Sequence, residues 1–343
     1  LDLTRVNEAV GDAVAAFDWG RAVVAQPREV AASLGVEEIH VEGHTSRKNG
    51  RIMMSMKLRD LIEGKSIVQA PGVWDGMSAK LAQEAGFPTV FASGLAIAAS
   101  MGLPDADIYT KTDAIYALTQ MCAVADVPVL ADGDTGFGTA VNVIFMVRDF
   151  ERIGVQGVVI EDQESPRRCP LLPGKPMTLV SVEEAANKIR AAVAARSSRD
   201  FVVIARSDAA TPEDMHHRSE AYAEAGADMF FPNAVNRAAF PTEDWAKCHE
   251  RIGIPLVNSP VPGGWQESEF TQDVMHDIGI KLQWLSMYPL YGWLGGLRAV
   301  YQSLKSAASL SEVLNVDFTY DDLMELVSYD EVAAIQKEFI PAV

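Results

Sequence analysis

Positive charge is scarce in this chain. Across 343 residues, 29 Lys and Arg stand against 47 Asp and Glu, for a formal net charge of −18. That balance excludes a general positive field of the kind that holds nucleic acid or an anionic membrane. It leaves room for a small anionic ligand, because local cations and a metal decide that. Cysteine is also rare. Cys122, Cys169 and Cys248 are too few for a disulfide framework and leave one over, which implies a reducing, cytoplasmic location. No apolar run approaches the length of a membrane span. The early residues carry acids and lack a signal-peptide pattern. No Gly-x-Gly-x-x-Gly follows the first strand of the repeating region, which argues against a dinucleotide site. What remains, 48% hydrophobic and 22% charged, is the composition of an ordinary globular protein.

The most informative stretch is Val129-Leu-Ala-Asp-Gly-Asp-Thr-Gly-Phe-Gly138. It reads as a short buried strand ending in two carboxylates, Asp132 and Asp134, followed by glycines that permit a tight turn. A second strand ending of the same kind closes on Glu161 and Asp162. Oxygen-only donors at strand ends suit a hard divalent ion, Mg²⁺ with Mn²⁺ as a substitute, which takes one or two carboxylates and keeps water and substrate oxygens.

These endings belong to a longer rhythm. From Leu58, β-branched runs alternate with stretches of helical period. The runs fall at 66–70, 89–92, 127–131, 155–160, 201–205, 228–231, 254–257 and 280–285. The helical stretches include 77–85, 111–124, 141–153, 182–195 and 213–225. Glycines 86, 154 and 226 mark helix ends. Eight such units in this length predict an α/β fold, a (β/α)₈ TIM barrel. The expected organisation is an N-terminal arm over 1–57, the barrel over 58–304 and a C-terminal helical extension over 305–343. Within the arm, 7–17 and 30–34 have helical spacing, 36–42 reads as an edge strand, and 44–50 as an exposed loop. The aromatic run 283–293, broken by Pro289 and Gly292, reads as the end of strand eight plus a turn.

A barrel places its chemistry just past the C-terminal ends of its strands. Read in order, those ends carry Ser93-Gly94, Asp132 and Asp134, Glu161-Asp162, Arg206-Ser-Asp208, Asn233 and Asn258-Ser259. Asp132, Asp134 and Glu161 form the expected metal shell, directly or through waters. Arg206 offers a planar fork to a carboxylate. Ser93 and the amides around Gly94 offer a cradle for a second carboxylate or carbonyl oxygen. The irregular segment 163–176 reads as a lid or binding loop, and Cys169 within it, flanked by cations, is expected to favour thiolate. His216 and His217, on a helix, are expected to be solvated. His40 and His44 have no cysteine or third histidine nearby, which argues against a zinc-type site.

Together these residues resemble the isocitrate lyase and phosphoenolpyruvate mutase superfamily. The resemblance spans about 58–304. It is carried by Pro71-Gly-Val-Trp-Asp-Gly-Met-Ser-Ala, Ser93-Gly-Leu with Gly102-Leu-Pro-Asp105, Asp132-Gly-Asp-Thr-Gly-Phe-Gly138, Ile160-Glu-Asp-Gln163 and Ala205-Arg-Ser-Asp208. Glu-Asp-Gln followed by a cysteine loop is most similar to the methylisocitrate and dimethylmalate lyase branch. The resemblance implies a Mg²⁺-dependent carbon–carbon lyase, a homotetramer or dimer of dimers with a swapped C-terminal helix. It implies metal binding by Asp132, Asp134 and Glu161. Ser93, Gly94 and Arg206 would hold the substrate's carboxylate end. Asp105 would lie on an active-site loop, and Cys169 would protonate the departing enolate.

The chain departs from the family where the distal half of the substrate would sit. The loop motif Lys-Lys/Arg-Cys-Gly-His is replaced by Arg167-Arg168-Cys169-Pro170-Leu171. Leu95 replaces a glycine, Asn233 stands where glutamate is usual, and Asn258-Ser-Pro-Val261 replaces Asn-Ile-Thr-Glu. The expected substrate is a small 2-hydroxy di- or tricarboxylate whose distal half is larger or less polar than succinate. A hydrolase of oxaloacetate or phosphonopyruvate and a non-catalytic carboxylate-binding protein stand as alternatives.

Overall fold

The computed structural model describes residues 45–48, 51–54, 56–171, 177–234, 237 and 240–340. The elements expected over 7–17, 30–34 and 36–42, and the pair His40 and His44, lie outside the described residues.

A short hairpin, β1 Thr45–Lys48 and β2 Arg51–Met54, precedes eight longer-range strands. Those are β3 Val68–Val73, β4 Val90–Ala92, β5 Val129–Asp132, β6 Gly157–Glu161, β7 Val202–Ser207, β8 Met229–Pro232, β9 Leu256–Asn258 and β10 Ile280–Leu285. The eight run parallel and close into a barrel in the order β10-β3-β4-β5-β6-β7-β8-β9. The expected runs start one or two residues early at most of these strands. Of the residues at which the early runs start, Val127, Val155, Phe201 and Ile254 are apolar and extend the strand pattern beyond its paired part.

Alternation along each strand separates two apolar layers. Val68, Ala70, Leu130, Val159, Val202 and Ile204 point into the barrel, and the opposite faces meet the helices. Leu58 and Ile62 of the helix Leu58–Glu63 join the interior layer. At the other end of the interior, Phe91 stacks on Trp284 at 4.4 Å and Phe231 meets the same indole edge-on at 4.9 Å. These three rings form the floor on which the site is built.

Helix starts follow capping chemistry. Asp75, Thr110 and Thr319 each form a capping box, and Thr211 caps the helix Pro212–Glu224, which opens on proline. In the helix Ala140–Arg152, Asp149 pairs with Lys111 and Arg152, each at 2.8 Å. The Lys111 hydrogen bond is the chief reason its carboxyl titrates below the usual range. A depressed carboxyl pKa stabilises the fold above the unfolded pKa of 3.8 and loses that contribution as pH falls through the folded value. Asp149→Asn should therefore cost about 0.5–1 kcal/mol near neutral pH, and the gap from wild type should narrow as the pH falls through the lowered folded-state pKa, as read by urea titration.

Two expectations are corrected. Part of the segment read as an exposed loop over 44–50 is strand β1, paired antiparallel with β2. Thr45–Lys48 is polar throughout, so its sequence carries no alternation that would mark a strand. The run after β10 is not a turn but the helix Met287–Ser306. Pro289 is its third residue, inside the first turn, where a backbone N–H has no intrahelical partner to lose. Beyond it come a 3₁₀ turn Leu310–Glu312 and the helices Tyr320–Leu326 and Tyr329–Phe339, a C-terminal helical extension as expected. No helix among the described residues is long and apolar enough to cross a membrane.

Candidate active site

The strand ends converge on one rim. Ser93 follows β4, Asp132 ends β5, Glu161 ends β6, Arg206 lies near the end of β7 and Asn233 follows β8. Between them opens a cavity. Ser93, Leu95, Asp105 and Asp132 line it, together with Arg206 and Asn233. The segment after β6 contributes Arg167, Cys169, Pro170 and Leu171.

The acids are arranged by the turn after β5. Asp134 takes a left-handed conformation, φ 47°, and its N–H donates to Asp132 Oδ1 at 3.0 Å. The Gly94 N–H donates to Asp132 Oδ2 at 3.2 Å. A Cβ on Gly94 would stand 3.0 Å from Asp132 Oδ2 and 3.1 Å from Asp134 Oδ1, so the backbone approach there needs glycine.

Two guanidinium groups face these acids. Arg167 pairs with Asp105 at 2.6 Å, touches Asp134 Oδ1 and lies 3.6 Å from Glu161 Oε1. Arg206 pairs with Glu161 Oε2 at 2.8 Å and forks onto Asp208 through Nε and Nη2, both at 3.1 Å. Asn233 donates to the same Asp208 carboxylate at 2.5 Å. Behind it, buried Asp162 accepts from Ser207 Oγ at 2.6 Å, Tyr222 at 2.8 Å, the Asp208 N–H at 3.0 Å and Arg218 at 3.2 Å. This network fixes the end of β7 and hence the direction of Arg206.

Burial, then mutual repulsion, raises the acids. Asp134 is pushed up to about 7 by desolvation and by Asp132. Desolvation raises Glu161 well above the carboxylate range, against the pull of Arg206 and Arg167. Burial works against charge on both arginines, yet neighbouring acids outweigh it and hold them above their ordinary value.

An all-carboxylate donor set fits a hard ion better than a soft one. Asp134 Oδ1 and Glu161 Oε1 are buried without a hydrogen bond; the Arg167 contact to Asp134 lacks hydrogen-bond geometry. Among the described residues no three His, Cys, Asp or Glu groups form a ready-made cage. An ion would therefore be held partly through waters, with Arg167 shifted from Asp134.

Several expectations change here. The Gly94 N–H is spent on Asp132 instead of facing the cavity. Arg168 lies outside the cavity, in an outer groove beside Glu164 and Met177, and Arg167 takes the inner place. Successive residues of an extended loop point to opposite sides, and sequence alone does not say which arginine faces in. Asn258 is fully buried behind the rim, with neither side-chain polar atom partnered, and Ser259 lines the cavity in its place. Cys169 does not favour thiolate: burial raises its pKa, and Asp105 adds to that against both arginines. Arg167 is neutralised by Asp105 and Asp134, which sequence places far away, and Arg168 faces the outer groove. His216 is buried against Phe240, not solvated. Tyr109, with its hydroxyl on Asp134, is a site residue that sequence reasoning does not reach; its position just before a capped helix carries no site signal.

A closed (β/α)₈ barrel with buried acids, two guanidinium groups and a thiol on its C-terminal rim has the architecture of an enzyme active site. Residues 58–282 match the family described as phosphoenolpyruvate phosphomutase, and the chain belongs to that family, within the isocitrate lyase superfamily near its methylisocitrate and dimethylmalate lyase branch. It is 34% identical to a 2-methylisocitrate lyase of Aeropyrum pernix, over 80% of this chain and 87% of that one. It is 32% identical to a 2,3-dimethylmalate lyase of Eubacterium barkeri, over 82% and 97%. Among solved structures it is similar to a phosphonopyruvate hydrolase in complex with oxalate and Mg²⁺, with TM-score 0.72, 27% identity and coverage of 83% and 98%.

Proposed function

We propose that this chain is a Mg²⁺-dependent carbon–carbon lyase. It cleaves a 2-hydroxy di- or tricarboxylate to pyruvate or glyoxylate plus a second carboxylate. The observation that carries this reading is the meeting of Asp132, Arg206 and the Cys169 thiol on one cavity. Asp132, Asp134 and Glu161 would hold the ion, with Mn²⁺ able to replace Mg²⁺. When bound, it polarises the substrate hydroxyl and supports the developing carbonyl.

The chain's own groups do the rest. Ser93 and Arg206 hold the carboxylate end, and Arg206 keeps fixed positive charge where negative charge develops. Asp105, the cavity carboxylate outside the metal set, takes the C2 hydroxyl proton. The C2–C3 bond breaks, its electron pair passes to C3 and the adjoining carboxylate as an enolate, and Cys169 Sγ–H returns a proton to C3. Burial keeps that thiol protonated, as a proton donor requires. The lid residues around Cys169 exclude water while the carbanion exists.

Phe91, Leu95, Leu171, Phe231, Val261 and Met287 give much of the remaining lining an apolar character, with Ser259 and Ser286 as its polar exceptions. This supports a distal half larger or less polar than succinate. A kinetic screen of 3-alkylmalates against methylisocitrate tests it; ordinary turnover of methylisocitrate overturns the preference. Hydrolysis of oxaloacetate or phosphonopyruvate is the second reading, favoured by the solved phosphonopyruvate hydrolase relative and by Leu171 in the lid. Product analysis separates the two. The hydrolase yields oxalate and acetate from oxaloacetate, and the lyase yields an α-keto acid without consuming water.

The extension also supports assembly as a homotetramer or dimer of dimers. The helix Tyr329–Phe339 buries no residue, and Leu310 and Phe339 are 83% and 70% exposed. Such a surface matches a segment that packs on a second copy. Removing residues 307–343 should reduce the species seen by light scattering to a smaller oligomer; an unchanged mass overturns the swap.

A further inference from the structure

We propose that Tyr109 is a positioning residue that makes Asp134 a one-oxygen ligand and thereby sets the preference of the site for Mg²⁺ over Ca²⁺. This rests on the assignment of Asp132, Asp134 and Glu161 to a divalent ion.

The Tyr109 hydroxyl donates to Asp134 Oδ2 at 2.5 Å. The residue is 5% exposed, and its ring meets Phe137 edge-on at 6.2 Å. Phe137 and Asp134 are the two left-handed non-glycine residues of the turn after β5, at φ 55° and 47°. One side chain therefore holds both. Its own position is fixed in turn, because Thr110 next to it opens the helix Lys111–Val124 with a capping box.

The two oxygens of Asp134 consequently have different neighbours. Oδ2 is committed to the phenol. Oδ1 has no hydrogen-bond donor and is the atom that the Arg167 guanidinium touches, so it is the oxygen a cation meets. Mg²⁺ requires near-ideal octahedral geometry and is satisfied by single oxygens and waters. Ca²⁺ takes more oxygens and gains from carboxylates that bind through both. A phenol on Oδ2 denies Ca²⁺ the second oxygen while costing Mg²⁺ nothing.

The test reads ion binding, not turnover. Mg²⁺ and Ca²⁺ are titrated against bound Mn²⁺, followed by electron paramagnetic resonance, on full-length wild type, Tyr109→Phe and Phe137→Leu. Wild type should release Mn²⁺ to Mg²⁺ at lower concentration than to Ca²⁺. Tyr109→Phe, which keeps the ring and loses only the hydroxyl, should shift the Mg²⁺-to-Ca²⁺ affinity ratio toward Ca²⁺ by about tenfold, the size of one hydrogen bond to a charged group. Phe137→Leu, which disturbs the turn but leaves the hydroxyl, should leave the ratio near wild type. An unchanged ratio in Tyr109→Phe, an equal shift in Phe137→Leu, or a wild type that prefers Ca²⁺ each overturns the role of Tyr109 and leaves the metal assignment standing. A wild type that binds no Mn²⁺ removes both.

Discussion

Cys169→Ser should lower lyase turnover by about 10²–10⁴-fold, the usual worth of a positioned proton donor, with little change in KM. The thiol lines the cavity, half-buried, and burial holds it above its ordinary pKa, so in the proposed reaction it would enter as an acid. A serine hydroxyl fits the same space and is a far weaker acid. Oxalate binding, which reports only on the carboxylate end of the pocket, should be unchanged. Steady-state kinetics and an oxalate titration on the same preparation check both halves. An unaltered rate would remove the thiol from the mechanism and shift the balance to the hydrolase reading.

Arg206→Gln should be damaging in two separable ways. Arg206 neutralises Glu161 and forks onto Asp208, and both acids are buried. Taking one partner from a buried ion pair costs about 3–5 kcal/mol, because the remaining charge is left without water or counter-charge. Denaturant unfolding should register that loss. Removing a fixed donor from the developing charge costs about 10²–10³-fold in kcat. Arg237→Gln is the matched contrast. Its pair with Glu269, at 2.6 Å, is half exposed and should be worth no more than about 1 kcal/mol. If the two variants lose equal stability, burial is not what gives Arg206 its weight.

The expected Mg²⁺ site shows how far sequence reaches. Asp132, Asp134 and Glu161 are readable because a short buried strand that ends in an acid, repeated in consecutive units, sets those acids side by side on the rim of a barrel. Arg206 is readable for the same reason. Asp208 is visible as part of the same strand end, but its function as the acceptor that aims Arg206 is not. Arg218 and Tyr222 carry no signal, because they reach Asp162 from a helix 56 and 60 residues away.

Sequence by itself determined the barrel, the rim and the identity of its acids. Local period and turn chemistry act over a few residues, and eight repeats of one unit leave little choice of closure. Only the tertiary structure decided that Arg167 and not Arg168 faces inward, that the Gly94 amide is already taken, that Cys169 stays a thiol, and that Tyr109 reaches Asp134. Each of these depends on charge and solvent exclusion contributed by segments distant in the chain. Electrostatic environment is a property of three-dimensional neighbours, and no spacing along one dimension encodes it.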